Sequence, residues 1–345
     1  MLRLGPRESR WLAMALVAAV VATTAAILSV SGFDVARALT ALVSGSVGSL
    51  DAIASATLVR ATPLILTGLA VTVAFQAGVF NIGAEGQFLM GAAATTATAL
   101  AGRALPTVLL LPLVLAAGAV AGGAWAWIAS VLRARYHVLE VISTIMLNFI
   151  AAYLISYLVR GPLQEPTHVF PQTESIDDAA RLPHLWPGTR LHLGFVIACA
   201  ACIAAWWVVR YTAAGFRLRV VGANPFAAKS AGQIDVRRVT TRAFLLSGAI
   251  SGLAGAVEVT GVTLALYENI SPGYGYTAIA VALLARLNAA AVIATGVLFG
   301  ALEAGASAMQ RDASVPSVVV SIIEAAIILA LVAIERVRVA GAARA

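Results

Sequence analysis

Long apolar stretches recur along the whole length of this chain. Ten of them, separated by short polar segments, cover residues 11–30, 63–80, 84–101, 106–132, 141–159, 193–209, 243–266, 274–285, 289–309 and 316–334. Of the 345 residues, 61% are hydrophobic and only 11% are charged, whereas a soluble domain has about 25% charged residues. Because about 20 apolar residues cross a bilayer as a helix, the sequence predicts an all-α integral membrane protein with about ten transmembrane helices.

Two places in this pattern are irregular. The apolar segment 274–285 is shorter than a full span, and residues 81–83 leave only a tight turn between the second and third segments. We therefore expect one or two broken or re-entrant helices, which membranes tolerate where the exposed backbone is buried in protein or lines a cavity. The first apolar run is longer than the core of a signal peptide and is predicted to be an uncleaved first helix.

Positive charge is distributed unevenly between alternate loops. With ten passes, sixteen of the 23 basic residues fall on the side of the amino terminus. Because basic loops stay in the cytoplasm, both termini are predicted to be cytoplasmic, in a single membrane domain over residues 1–345. The acidic, proline-rich segment 161–192 is then an external loop, and the basic segment 211–242 is a cytoplasmic loop. The basic residues are spread through short loops, which argues against nucleic-acid binding.

One glycine-rich stretch places three polar side chains at membrane depth. Residues 75–91 read FQAGVFNIGAEGQFLMG and include Asn81, Glu85 and Gln87. A carboxylate and two amides are costly in a bilayer unless they face protein or a water-filled path. The neighbouring glycines allow a helix to break and backbones to approach closely. This combination predicts a translocation pathway rather than a membrane anchor.

Further polar residues lie in other apolar segments. Glu140, Thr144 and Asn148 follow one another at helical spacing and form a stripe on the fifth segment. Glu258 shares a face of the seventh segment with two serines, and the acids at 303 and 324 are either functional or structural. Two aromatic candidates, Tyr274 and Tyr276, can stack on a base or a ribose or belong to an interfacial aromatic belt. Glycines four apart, at 118/122, 248/252 and 296/300, favour ordinary close helix packing.

A short helix is predicted within the basic segment 211–242. Asn224 suits a helix cap, Pro225 suits the first helical position and Gly232 suits the end. The same run lacks the glycines at 223 and 228 that a phosphate-binding loop requires. We find no other nucleotide, cofactor or metal motif, so the sequence predicts no cofactor, no metal and no enzymatic activity. The pair Cys199 and Cys202 lies in an apolar helix and is interpreted as structural.

These blocks, in this order, resemble the permease subunits of ATP-binding-cassette importers for branched-chain amino acids, simple sugars and nucleosides. The resemblance extends over most of residues 60–335 and includes 75–91, 140–148 and 271–285. It also includes a run like R-x-x-G-x-N-P-x-A-A-x-x-A-G, matched here by Arg219, Gly222, Asn224, Pro225, Ala227, Ala228, Ala231 and Gly232. The chain departs from the family at Leu139, at Gln233 and at 285–289, where a usual glycine and proline are missing.

The resemblance implies a division of labour among subunits. The run containing Lys229 would be a coupling helix, with the small face of Ala227, Ala228 and Ala231 nested in a groove on cytoplasmic ATP-binding subunits. An external substrate-binding lipoprotein would deliver the substrate, and a second, shorter related permease would complete a heterodimer in the bacterial inner membrane, in contact with lipid. The substrate path would then include Asn81, Glu85, Gln87, Glu140, Thr144, Asn148, Glu258, Tyr274 and Tyr276.

The substrate and the energy source stay open at this stage. Nucleosides are the favoured substrates, and ribose-like sugars are the first alternative. A second alternative is a secondary transporter in which Glu85, Glu258 or Glu303 binds a coupling ion, since broken helices with acids at mid-membrane also fit that mechanism. The coupling run favours the importer, because a stand-alone carrier does not need one. A structural membrane scaffold would not need the polar stripe.

Overall fold

A computed structural model describes residues 22–26, 28–232, 234–316, 319, 322, 325–326 and 329. Its named α-helices are α1 (Val35–Val47), α2 (Leu58–Gln76), α3 (Ala84–Ala101), α4 (Thr107–Tyr136), α5 (Glu140–Arg160), α6 (Gly194–Tyr211), α7 (Ala213–Ala223), α8 (Pro225–Gly232), α9 (Val236–Glu258), α10 (Tyr274–Leu284) and α11 (Ala291–Asp312). Short π-helical turns precede α2 (Ala52–Thr57) and follow α9 (Val259–Thr263). Within these residues there is no β-strand, which confirms the all-α class.

Among the residues that the structure describes, six helices are long and apolar enough to cross a membrane. They are Ala52–Gln76, Thr107–Tyr136, Glu140–Arg160, Gly194–Tyr211, Val236–Thr263 and Ala291–Asp312. The predicted segment at 274–285 is a helix of only 11 residues, which confirms that it is too short for a full span. The predicted first and last segments, 11–30 and 316–334, and with them Glu324, lie largely or wholly outside the described residues. The total of about ten spans therefore stays a prediction.

The chain divides into two compact units, residues 1–60 with 298–345 and residues 61–297. In the first unit, α1 packs on the second half of α11 around Leu28, Ala38, Ala41 and Met309. The hydroxyl of Thr57 donates to the carbonyl of Ser46 at 2.6 Å. This bond fixes the π-helical turn against the end of α1.

The core of the second unit is a close crossing of α9 with α3 and α4. Gly118 and Gly122 of α4 face Gly248 and Gly252 of α9, as their four-residue spacing predicted. A Cβ atom added at Gly122 would lie only 2.6 Å from the Cα of Gly252. Small residues allow this approach. The close contact of the two backbones adds van der Waals attraction, which holds helices together in lipid where no hydrophobic driving force acts between them.

The predicted external segment 161–192 is a folded cap rather than an open loop. Its backbone amides at Thr173, Ile176 and Leu182 donate to the carbonyls of Leu266, Leu264 and Thr260, at 2.8–2.9 Å. His192 at its end is fully buried, and its Nδ1 accepts from the amide of Gly194 at 3.2 Å. The cap is therefore tied to the segment that follows α9.

The basic segment 211–242 is mostly helical. It contains α7, α8 and the start of α9, and α8 is the short helix that the sequence predicts within this segment. Thr212 caps α7 by accepting from the amide of Gly215 at 3.2 Å, and Asp235 caps α9 by accepting from that of Arg238 at 2.9 Å. Three successive capped helices hold this segment in a defined shape.

Candidate functional site

A break separates α2 from α3, as the turn at 81–83 predicted. Its centre is Asn81, whose Oδ1 accepts from the amide of Gly83 at 2.9 Å and from Nε2 of Gln87 at 3.0 Å. The Nδ2 of Asn81 donates to Oε1 of Gln87 and to Oγ of Ser247, both at 2.9 Å. Asn81 and Gln87 are 0% and 1% exposed. They form a buried amide pair in which each satisfies the other, which is how polar groups are tolerated in such an interior.

Asn148 of α5 holds the other side of the break. Its Oδ1 accepts from the amide of Gly86 at 2.8 Å, and its Nδ2 donates to the carbonyl of Ile82 at 2.9 Å. The same Nδ2 donates to the hydroxyl of Tyr276 on α10, at 3.2 Å. Since a backbone amide only donates and a carbonyl only accepts, these partners fix which end of the Asn148 amide is oxygen. One side chain thus connects three elements.

Glu85 connects the start of α3 to the start of α10. Its carboxylate accepts from the amide of Gly275 at 2.7 Å and from the side chain of Ser271. A Cβ atom added at Gly275 would lie 2.5 Å from the Cα of Glu85. Only glycine permits this approach, so the two broken elements are held together directly.

The structure separates the two predicted tyrosines. Tyr274 is buried and packs edge-on against Phe88, with ring centroids 5.7 Å apart. Tyr276 is 45% exposed, although its hydroxyl reaches Asn148. Of the two tyrosines, only Tyr276 is exposed enough to contact a bound molecule.

The three residues of the predicted stripe on α5 have different bonding partners. Asn148 joins the cluster, whereas the hydroxyl of Thr144 bonds back to the carbonyl of Glu140 at 2.7 Å. The carboxylate of Glu140 pairs with Arg133 at 3.3 Å instead. Glu258 is buried at the end of α9, and Glu303 lies in the other compact unit. The cluster therefore consists of Asn81, Glu85, Gln87, Asn148 and Tyr276.

Sequence reasoning missed two serines of α9 that bond to the cluster or beside it: Ser247 accepts from Asn81, and Ser251 lies against the start of α3. Ser247 donates to the carbonyl of Ala70 at 2.6 Å, and Ser251 donates to that of Ala84 at 2.5 Å. Both were noticed only as neighbours of Glu258 on a helix face. Their spacing of four residues, on the same glycine-rich helix that crosses α3, was the available signal. These two hydroxyls bond α9 directly to the backbones of α2 and α3, the helices on either side of the break.

The short helix predicted within the basic segment 211–242 is present as α8. The Oδ1 of Asn224 accepts from the amides of Phe226 and Ala227, both at 3.0 Å, which confirms the cap. The expected docking face is partly wrong, because Ala228 points into the chain and is 1% exposed. Phe226, at 84% exposed, lies on the open side instead. An eight-residue helix rich in alanine carries too little apolar periodicity to reveal its inner face.

A direct contact connects this segment to the break. Gly222, just before α8, packs on the end of α2, where an added Cβ would lie 2.9 Å from the carbonyl carbon of Gln76. The side chain of Gln76 in turn donates to the carbonyl of Leu287, in the turn after α10, at 2.5 Å. The end of α2 therefore contacts both the α7–α8 junction and the turn that follows the short helix α10.

Membrane-length helices, two broken elements with satisfied polar groups and an exposed capped helix define a membrane permease. The sequence matches the family described as branched-chain amino acid transport system / permease component over residues 53–332. The chain belongs to this family.

Three relatives with named functions match most of the chain. The glucose ABC transporter permease protein TsgB13 of Haloferax volcanii is 44% identical over 288 residues, which are 81% of this chain and 75% of that protein. The guanosine ABC transporter permease protein NupP of Bacillus subtilis is 40% identical over 314 residues, 89% and 88% of the two chains. The nucleoside ABC transporter permease protein NupB of Lactococcus lactis is 33% identical over 275 residues, 77% and 75%.

Proposed function

We propose that this chain is the transmembrane permease subunit of an ATP-binding-cassette importer for nucleosides. The guanosine and nucleoside permeases support this substrate, and the long match to the guanosine permease covers 89% of the chain. The glucose permease keeps a simple sugar as a second candidate. As a permease component, the chain is not itself an enzyme.

The observation that carries the proposal is the contact of the α7–α8 junction with the broken helix. Gly222 packs on Gln76, and only seven residues separate Gln76 from α3. A force applied to α8 therefore reaches the break through packed backbone, without passing through a flexible linker. Coupling between α8 and the break needs an element that has two positions and that both of them contact. In this proposal that element is the end of α2. In the proposed mechanism, docking of an ATP-binding subunit on α8 shifts the end of α2 and repositions the break.

The substrate path in this proposal runs along the exposed side of the cluster. Tyr276 contacts the substrate, while Asn81, Glu85, Gln87 and Asn148 hold the two broken elements in place. Asn148 already donates to the Tyr276 oxygen, so the phenolic hydrogen is free to donate to a substrate acceptor. Thr144 and Tyr274 support the packing around them. Glu140 and Glu258, expected in the path, have supporting roles outside this cluster.

The proposed importer contains three kinds of partner subunit and has one orientation in the membrane. Cytoplasmic ATP-binding subunits dock on α8, an external substrate-binding lipoprotein delivers the substrate, and a second related permease completes the path. Both termini are cytoplasmic, with the cap outside and α7–α8 inside the cell. The docking surface includes Phe226, Ala227 and Lys229, with Arg219 nearby on α7.

The proposed coupling role is tested by removing one exposed ring. Phe226→Ala should lower substrate-stimulated ATPase activity of the assembled importer by about tenfold or more, since a docked aromatic contributes about 2 kcal/mol. The thermal stability of the Phe226→Ala variant should equal that of the unmodified chain, because the ring is 84% exposed. The matched control is Phe216→Ala, which removes an exposed ring from α7. Equal activity in both variants would remove α8 from the coupling mechanism.

A further inference from the structure

A basic groove lies between the end of α4 and the start of α9, beside α8. One part has a volume of about 550 Å³ and is lined by Arg133, Lys229 and Arg237. An adjoining part of about 620 Å³ is lined by Arg135, Arg237, Arg238 and Arg242. Both parts share Ser130, Asp235, Arg237 and Thr241, so they form one continuous surface. None of these residues belongs to the cluster of polar side chains around the break between α2 and α3.

The groove carries a clear excess of positive charge. Of its six cations, Arg133 pairs with Glu140 at 3.3 Å and Arg238 pairs with Asp235 at 3.6 Å. The other four have no carboxylate within ion-pair distance among the residues that the structure describes; they are Arg135, Lys229, Arg237 and Arg242. Clustered cations of one sign repel one another. Such a cluster is stabilised by an anion that binds between them.

The position of the groove indicates the depth of that anion. Both α4 and α9 belong to the six membrane-length helices, so the groove lies at an end of two spans. Trp127 and Tyr136, in the last turns of α4, are 55% and 62% exposed. Exposed Trp and Tyr beside Arg mark the headgroup level of a bilayer. Trp127 and Phe244 also line the groove and supply an apolar wall beside the cations.

We propose that the basic groove binds the phosphate headgroup of an anionic phospholipid. Basic pockets between transmembrane helices are suited to such headgroups, because they combine cations with a lipid-facing opening. The hydroxyls of Ser130 and Thr241 add donors for phosphate oxygens, and the apolar wall accommodates the start of an acyl chain. A lipid bound here lies at the root of α8, next to Lys229. Anionic lipid would thus stabilise the helix on which we propose that the ATP-binding subunit docks.

The test compares lipid retention by two matched double variants. The unmodified chain, purified in detergent and mixed with phosphatidylglycerol or phosphatidylcholine, should retain phosphatidylglycerol preferentially in native mass spectrometry. Arg237→Gln with Arg242→Gln should weaken that retention by about 25-fold, since each surface charge contributes roughly fivefold. Arg210→Gln with Arg217→Gln removes the same charge from exposed positions at the end of α6 and in α7, and should leave retention unchanged.

Further arms separate the headgroup from other occupants. Arg237→Lys with Arg242→Lys should restore most of the retention, and binding to the unmodified chain should weaken as salt rises. Equal loss in both glutamine variants, or equal retention of the two lipids, would overturn the proposal. Displacement of the lipid by millimolar inorganic phosphate would assign the groove to free phosphate. If the groove variant fails instead to bind the ATP-binding subunit in lipid-free detergent, the groove belongs to a protein partner.

Discussion

At the scale of single residues, two asparagines support the break between α2 and α3. Asn81 and Asn148 together make seven hydrogen bonds at or beside the break between α2 and α3. A break in a membrane helix exposes backbone amides and carbonyls, and each one left unsatisfied costs several kcal/mol. These side chains replace the lost bonds, which explains why amides rather than apolar residues occupy a site without solvent access.

Asn81 should therefore be far more important for stability than its neighbour Thr144. Asn81→Ala leaves the Gly83 amide and the Gln87 side chain without partners, and should lower the free energy of unfolding by about 2–4 kcal/mol. Thr144→Val removes a hydroxyl that bonds only within its own helix, and should cost less than about 1 kcal/mol. Thermal melting in detergent measures both variants. Similar melting temperatures would show that the buried amide pair is not a structural support.

The cap at 161–192 should open in acid because of His192. Burial, together with His184 and Arg190, lowers the pKa of His192 to about 4, whereas an unfolded imidazole titrates near pH 6.5. The lowered pKa means that the stability of the cap is complete above about pH 6.5 and falls as the pH drops toward 4, by up to about 1.4 kcal/mol per pH unit.

Limited proteolysis of the cap at pH 7 and pH 5 measures this effect. Cleavage within 161–192 should be faster at pH 5 in the unmodified chain, and His192→Gln should make the rate nearly independent of pH. His168→Gln, at an exposed position, should retain the original dependence. If all three proteins show the same pH profile, another group controls the cap.

At the scale of helices, α9 packs closely on both α4 and α3, the helix that follows the break. Neighbouring glycines on α4 provide a matched pair for testing it. An added Cβ at Gly122 meets the backbone of α9, whereas one at Gly123 has no neighbour nearer than 3.4 Å. Gly122→Ala should thus cost about 2 kcal/mol or more through overpacking, and Gly123→Ala should be neutral or slightly stabilising. Equal melting temperatures would contradict the crossing geometry.

Helix positions were predictable, but helix faces were not. The caps at Asn224 and the short helix at 274–285 followed from local residue preferences, which act within a few residues. The inward position of Ala228 and the burial of Tyr274 depend on which neighbour packs on each side, and spacing alone does not supply that. The backbone of the turn at 285–289 was likewise not predictable from residue preferences. Arg286 and Leu287 adopt positive φ angles of 53° and 55°, although both lack the freedom of glycine.

At the scale of the whole molecule, the composition alone was sufficient to predict an all-α membrane protein. Apolar length predicted the membrane helices, and polar residues at membrane depth predicted where they break. Sequence did not predict that the segment 161–192 folds as a cap, because its contacts with Thr260, Leu264 and Leu266 join distant parts of the chain. Nor did it predict the contact between Gly222 and Gln76. Both contacts depend on tertiary packing, which local patterns do not encode.

In the proposed mechanism, ATP hydrolysis by separate subunits drives nucleoside transport through this chain. Uptake of radiolabelled guanosine into proteoliposomes containing the chain, its partner permease, the ATP-binding subunits and the binding protein tests it most directly. We predict that uptake requires ATP on the side of the ATP-binding subunits, stops when those subunits are omitted and is inhibited by other nucleosides but not by glucose. Uptake by the chain without ATP, driven by a proton or sodium gradient, would contradict this account.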